Sequence, residues 1–216
     1  MHSEVVLVAS ADRLPRIQCR GGGMQARCTS PDTVHLVSAA AMPLGGDTID
    51  IRVIVEPGAR LRLRSAAATV ALPGASTPTS HAHWVIEVAG SLDVDLEPTV
   101  VAGAARHLSS VVLSLHDEGL LRLRERVQIG RCGEREGFWS GSLHADRDGL
   151  PLLRHRVELG AGSPADDDIS APRAAVNELR YPETSFETTA IDVGSTVLAL
   201  AGGGTLSTWQ ADRLAV

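Results

Sequence analysis

The sequence predicts an all-β protein, and three observations carry that prediction. Apolar and charged side chains alternate with a period of two in several separate runs, and Gly, Pro or Asp punctuates the chain between them at intervals on the order of ten residues. Helical periodicity is scarce by comparison. From Thr48 to Glu56, Ile49, Ile51, Val53 and Val55 fall in one phase and Asp50 and Arg52 in the other, the pattern of a half-buried strand; Pro57-Gly58 then turns the chain. Leu61 and Leu63 sit between Arg60, Arg62 and Arg64, and Trp84, Ile86 and Val88 form a shorter run. Leu92, Val94 and Leu96 alternate with Asp93, Asp95 and Glu97. Val100 to Ser110 fits neither period. Leu121, Leu123, Val127 and Ile129 then oppose Arg122, Arg124, Arg126 and Gln128, and Leu153, His155, Val157 and Leu159 oppose Arg154, Arg156 and Glu158. Gly160 to Pro172 reads as an exposed connector, and Pro172 to Arg180, with prolines at 172 and 182, as two turns of helix.

The charged rows have two readings. They are solvated outer faces or, alternatively, a partner-binding face; on either reading the arginines of 122–126 could pair with the carboxylates of 93–97 across neighbouring strands, each pair contributing roughly 0.2–1 kcal/mol.

Composition narrows the chemistry. The chain has 216 residues, a length that suits one domain over 1–216, and all 20 of its basic residues are arginine. Without lysine there is no Walker A phosphate loop, Schiff-base centre or Ser-Lys pair. A net charge of -6 and 3% aromatic residues argue against a nucleic-acid partner, which needs basic clusters and stacking rings. Cys19, Cys28 and Cys132 form no CxxC pair, so reduced thiols and a cytoplasmic location are expected. Val5–Ala9 is short for a signal-peptide core, and the uncharged run Val193–Ala211 is rich in Gly, Ser and Thr, so no membrane partner is expected.

Catalytic motifs are missing. Gly137–Gly141 (GFWSG) places its serine one residue late for a nucleophile elbow, and the triplets Gly21–Gly23 and Gly202–Gly204 do not fit a dinucleotide fingerprint. Of the eight histidines, His81 and His83 have the spacing that sends two imidazoles off one strand face, half of a nickel, copper or zinc site, or else the polar edge of a loop. Asp166, Asp167 and Asp168 read as solvated carboxylates, with a transient cation contact as the alternative.

Three segments in order resemble the urease accessory protein family UreD, also called UreH. They are PLGGD at Pro43–Asp47 with the following TIDIRVIVEPGARLRLRSAAATV to Val70; AGSLDVDLEPTVV at Ala89–Val101, containing Glu97-Pro98; and GRCGE at Gly130–Glu134. The resemblance spans about Thr33–Leu159, leaving 160–172 as connector and 173–216 as a loosely matching C-terminal part. One departure stands out: where relatives continue the Ala-Thr segment with lysine, Val70-Ala71 follow here.

The resemblance implies stacked or helically wound β-sheets with a few short α-helices, and no catalytic activity. It implies a scaffold or chaperone of urease metallocentre assembly, which helps insert nickel into apo-urease together with a UreF-like accessory protein and a UreG-like GTPase. No cofactor is held tightly; nickel passes transiently, on oxygen or imidazole ligands that release it readily. Asp47, Glu97 and Glu134 stand at family-matching positions and are the candidate nickel path, with Arg131 docking a partner or pairing with one of them. Their structural alternatives are a turn cap for Asp47 and a local Arg131–Glu134 salt bridge. A stand-alone all-β module for a small ligand, or an all-β enzyme with an unrecognised site, is the competing function.

Overall fold

The computed structural model describes residues 1–116, 118–167, 171–182 and 194–214. The described residues form seventeen strands: β1 (His2–Ala9), β2 (Arg16–Arg20), β3 (Met24–Ser30), β4 (Thr33–Ser38), β5 (Thr48–Val55), β6 (Arg60–Ser65), β7 (Thr69–Ala71), β8 (Thr79–Val88), β9 (Ser91–Asp95), β10 (Thr99–Val101), β11 (Arg106–Leu115), β12 (Leu120–Ile129), β13 (Phe138–Arg147), β14 (Leu150–Gly160), β15 (Ala174–Tyr181), β16 (Thr196–Ala199) and β17 (Thr205–Ala211). The all-β expectation holds, whereas the few short helices do not: among the described residues there is no helix.

The chain winds. Strands β1, β5, β8, β11 and β13 lie parallel in a first sheet, flanked by antiparallel β2 and β14. Strands β4, β6, β9 and β12 lie parallel in a second sheet, continued by antiparallel β3 on one side and by β15, β17 and β16 on the other. From β5 to β12 the chain crosses from one sheet to the other and back, with short parallel β7 and β10 forming a third side. Each turn takes about 30 residues, a solenoid repeat. The corners stack: the amides of Glu56, Ala89 and His116 bond to the carbonyls of Ala9, Val55 and Val88 one turn away. At the middle corner a Cβ on Gly90 would lie 2.3 Å from the Ala59 carbonyl oxygen, so only glycine lets the turns approach this closely.

Alternation decides what the turns bury. Val53, Leu61, Ile86, Leu92, Leu113 and Leu121 project between the sheets and are at most 1% exposed. A smaller cluster around Trp139, Val127 and Leu159 fills the region beneath β7 and β10.

The predicted helix over Pro172–Arg180 is strand β15 instead. Its Ala, Glu and Leu favour a helix by propensity, but β12 on one side and β17 on the other offer complete ladders to its backbone. Every residue from Ala174 to Leu179 is buried, so no alternation was visible.

Candidate functional site

Strand β12 carries charge on both faces. Outward, Arg122 is 7% exposed and reaches Asp93 (3.2 Å), Asp95 (3.4 Å) and Glu178 (3.1 Å) on β9 and β15. Arg64 pairs with Asp93, Arg126 with Asp95 (3.3 Å) and Arg180 with Glu178, which ties β6, β9, β12 and β15 together. Burial alone would weaken the Arg122 proton, but Glu178, Asp93 and Asp95 overcompensate and bind it more tightly than usual. The cross-strand reading of the charged rows is therefore correct, with Glu178 in the place expected of Glu97. The row is not simply a solvated face.

Inward, the phase of Leu121, Leu123, Val127 and Ile129 includes Glu125. Its cross-strand partner is Asn177. Both line a cavity of about 230 Å³ between the sheets, together with His155 of β14, His107 of β11 and Trp139 of β13. Glu125 keeps part of its surface because it faces this cavity, yet protein encloses it, and burial pushes its carboxyl up to about 7, against a smaller opposing effect of the Asn177 amide. Burial also lowers His155, which Asn177 partly offsets, and the buried Nε2 of His155 has no hydrogen-bond partner. His107 is driven down to about 4 by burial and by the charge of His81; its Nδ1 lies 2.9 Å from Ser80 Oγ. At neutral pH the cavity thus presents neutral imidazoles beside a carboxyl poised between its two forms. Such a set can hold and release a cation or a proton.

The residues singled out from sequence fall in different places. Glu97 is exposed and borders the cavity beside Ser65–Thr69, where Ser65 Oγ accepts from its amide at 2.9 Å. Asp47 is 5% exposed and caps its own turn: Oδ2 accepts the Leu44 amide at 2.8 Å, and Oδ1 lies 2.5 Å from the Met1 nitrogen. The preceding Gly45 is required there, since a Cβ would fall 1.8 Å from the Thr77 oxygen. Glu134 folds back onto Arg131 (Nη2 at 2.5 Å) and accepts the amides of Gly103 (2.8 Å) and Arg131 (3.1 Å). The Arg131 guanidinium, then those amides, hold its carboxyl down at about 2. That pair lies along a separate surface concavity with Arg135 and Arg173.

His81 and His83 are within β8, not at a loop edge, with ring centres 5.9 Å apart on the outer face of the first sheet. Asp166 accepts the Gly162 amide at 3.0 Å, and Asp168 lies outside the described residues. Among the described residues, no three His, Cys, Asp or Glu side chains are grouped to hold a metal ion, and no helix is long and apolar enough to cross a membrane.

Glu125 and Asn177 were not identified from sequence. The signal for Glu125 was present: a lone carboxylate in the apolar phase of a strand whose other phase is charged. Asn177 lay in the segment read as helix.

The molecule is thus a two-sheet β-solenoid with a small, mostly apolar cavity between its sheets, into which a few polar side chains are set. Its residues 23–180 match the family model described as UreD urease accessory protein. It is 44% identical over 140 residues to the urease accessory protein UreD 1 of Saccharopolyspora erythraea, covering 64% of this chain and 55% of that protein. It is 42% identical over 150 residues to UreD of Frankia alni (61% and 50%), and 36% identical over 207 residues to UreD of Parafrankia sp. (83% and 70%). The chain spans about half the length of the first two. It belongs to the UreD urease accessory protein family.

Proposed function

We propose that this chain is a non-enzymatic scaffold of urease maturation that gives nickel a sheltered passage toward apo-urease, alongside a UreF-like accessory protein and a UreG-like GTPase. The observation that carries the reading is the cavity between the sheets of a family member. Its wall carries Glu125, Asn177, His107 and His155, whose buried Nε2 has no hydrogen-bond partner, together with Arg124, Arg126 and, at its border, exposed Glu97.

Few ligands favour transit. A nickel ion takes imidazole nitrogen and carboxylate oxygen, but a single carboxylate with one or two imidazoles lacks the closed set that would trap it. The neutral state of His155 keeps its lone pair available, and ion binding at Glu125 would displace a proton that is already loosely held. Nickel is cargo here, and the nucleotide chemistry belongs to the GTPase, since this chain has no lysine for a phosphate loop. Asp47 and Glu134 act in the fold and not in the passage, because their oxygens are engaged by backbone amides and by Arg131.

The test is complementation of a urease operon that lacks its own UreD, with urease nickel content and activity read in cells co-expressing the UreF-like and UreG-like partners. Glu125→Gln and Glu97→Gln are expected to lower nickel loading several-fold while still co-purifying with the partners. Full nickel loading in both variants would overturn the passage. Failure of the unmodified chain to recover UreF-like or urease subunits would overturn the scaffold itself.

A further inference from the structure

We propose that the outer face of the first sheet carries a second, independent metal site, in which His81 and His83 bind one divalent late first-row transition-metal ion and Asp50 orients the ligand.

The strand geometry supplies the pair. His81 and His83 are two residues apart on β8, so both imidazoles leave the same face, and their ring centres are 5.9 Å apart with planes inclined by 35°. An ion about 2.0–2.1 Å from one nitrogen of each ring lies about 3.2 Å from each ring centre. Two such spans meet the observed separation with an angle of about 135° at the ion, so the ring spacing admits one bridging ion.

The second observation is the position of Asp50. In the β5–β8 ladder Asp50 is the direct partner of His83, and its Oδ1 lies 3.0 Å from His83 Nδ1. A carboxylate on Nδ1 fixes the ring and the tautomer, and it leaves Nε2 as the outward lone pair; this is the usual support behind a metal-bound imidazole. The other oxygen, Oδ2, is 2.5 Å from His2 Nε2, so Asp50 is itself held from both sides. His83 is half-exposed, its side chain at 49%, and no described hydrogen bond engages the His81 ring.

Two imidazole ligands with water in the remaining positions suit copper(II), nickel(II) and zinc(II), and give magnesium or calcium nothing they prefer. The site is distinct from the interior cavity: His81 and His83 project from the opposite face of the sheet to His107, Val111 and Trp139. It does not depend on any role in urease maturation.

Titration calorimetry of the whole purified chain with nickel(II) chloride at pH 7.5 tests it. The unmodified chain is expected to bind an ion equivalent that the His81→Gln, His83→Gln double variant loses. Asp50→Asn should weaken that equivalent roughly tenfold or more, the effect expected of a supporting carboxylate. Glu125→Gln should leave it intact, which separates this site from the interior one. Equal nickel stoichiometry and affinity in the double variant and the unmodified chain would overturn the proposal, as would the absence of nickel binding by the unmodified chain at millimolar metal. All these substitutions are at the surface or in the cavity, and circular dichroism of each variant confirms that the sheets are retained.

Discussion

The two faces of β12 treat charge in opposite ways. Outside, Arg122 is nearly buried but surrounded by Asp93, Asp95 and Glu178, so each of these carboxylates faces a counter-charge and Arg122 holds its proton more tightly than usual. Inside, three residues along the same strand, Glu125 faces the cavity opposite its partner Asn177, and burial balances its ionisation near neutrality. One face stores charge as structure; the other leaves it available. The same backbone ladder thus separates a part that holds the fold from a part that can respond to an ion or a proton.

Removing the centre of the outer lattice should break the contrast most. Arg122→Ala leaves three carboxylates close together without their shared cation, and is expected to cost about 3–5 kcal/mol. In a chain of this size that lowers Tm by on the order of 10 °C, measured by thermal unfolding. Arg122→Lys should fall between the two, because it restores one charge but not the planar fork that serves three partners.

Glu125→Gln should act in the opposite direction and only over part of the pH range. The folded carboxyl titrates at about 7 and the unfolded one at 4.5, so the native state holds an extra proton between these values. The unmodified protein then loses stability as pH rises through that window, and the variant does not. The variant should match the parent near pH 4.5 and exceed it by about 1–3 kcal/mol at pH 8, read as the difference in Tm across that range. Since His107 and His155 titrate in both proteins, their opposite contribution cancels in the comparison. A variant that is more stable yet loads less nickel would sharpen the distinction between holding and responding. An unchanged pH profile would place Glu125 in ordinary solvent and remove the contrast.

The smallest effect belongs to Glu134→Ala. Its loss should leave global unfolding nearly unchanged and show as faster hydrogen exchange at the amides of Gly103 and Arg131, which its Oε2 now accepts. In the unmodified protein the carboxyl is held down at about 2, below its usual 4.5. Its hold on those amides is therefore complete above pH 4.5 and fails only as pH falls through about 2.

How much of this was legible follows from burial. Strands β5, β6, β8, β9, β12 and β14 announced themselves because each has one wet face, and alternation records that asymmetry. Strand β15 is wet on neither face, and its composition favours a helix, so only its neighbours could reveal it. The winding, expected only from the family resemblance, left no mark in the periodicity for a different reason. The turns repeat in space, but each needs only apolar residues in phase and a small residue at the corner, a requirement too loose to leave a repeated sequence. For the candidate site, family-matching motifs led to Asp47 and Glu134, whose conspicuous glycine neighbours reflect tight turns. The residue with the more unusual environment, Glu125, sat inside a run already explained as amphipathic.

The antiparallel strands at the ends of both sheets have a consequence for assembly. A wound stack of parallel strands is a template: each turn displays the hydrogen-bonding edge that the next one needs, and an uncapped stack would recruit further chains into a fibre. Here β2 and β14 run against the winding in the first sheet, while β3, β15 and the outermost strand β16 do so in the second. A further turn arriving in the native direction meets a strand of the wrong polarity at every end. The reversals act as stoppers against growth of the stack in the winding direction.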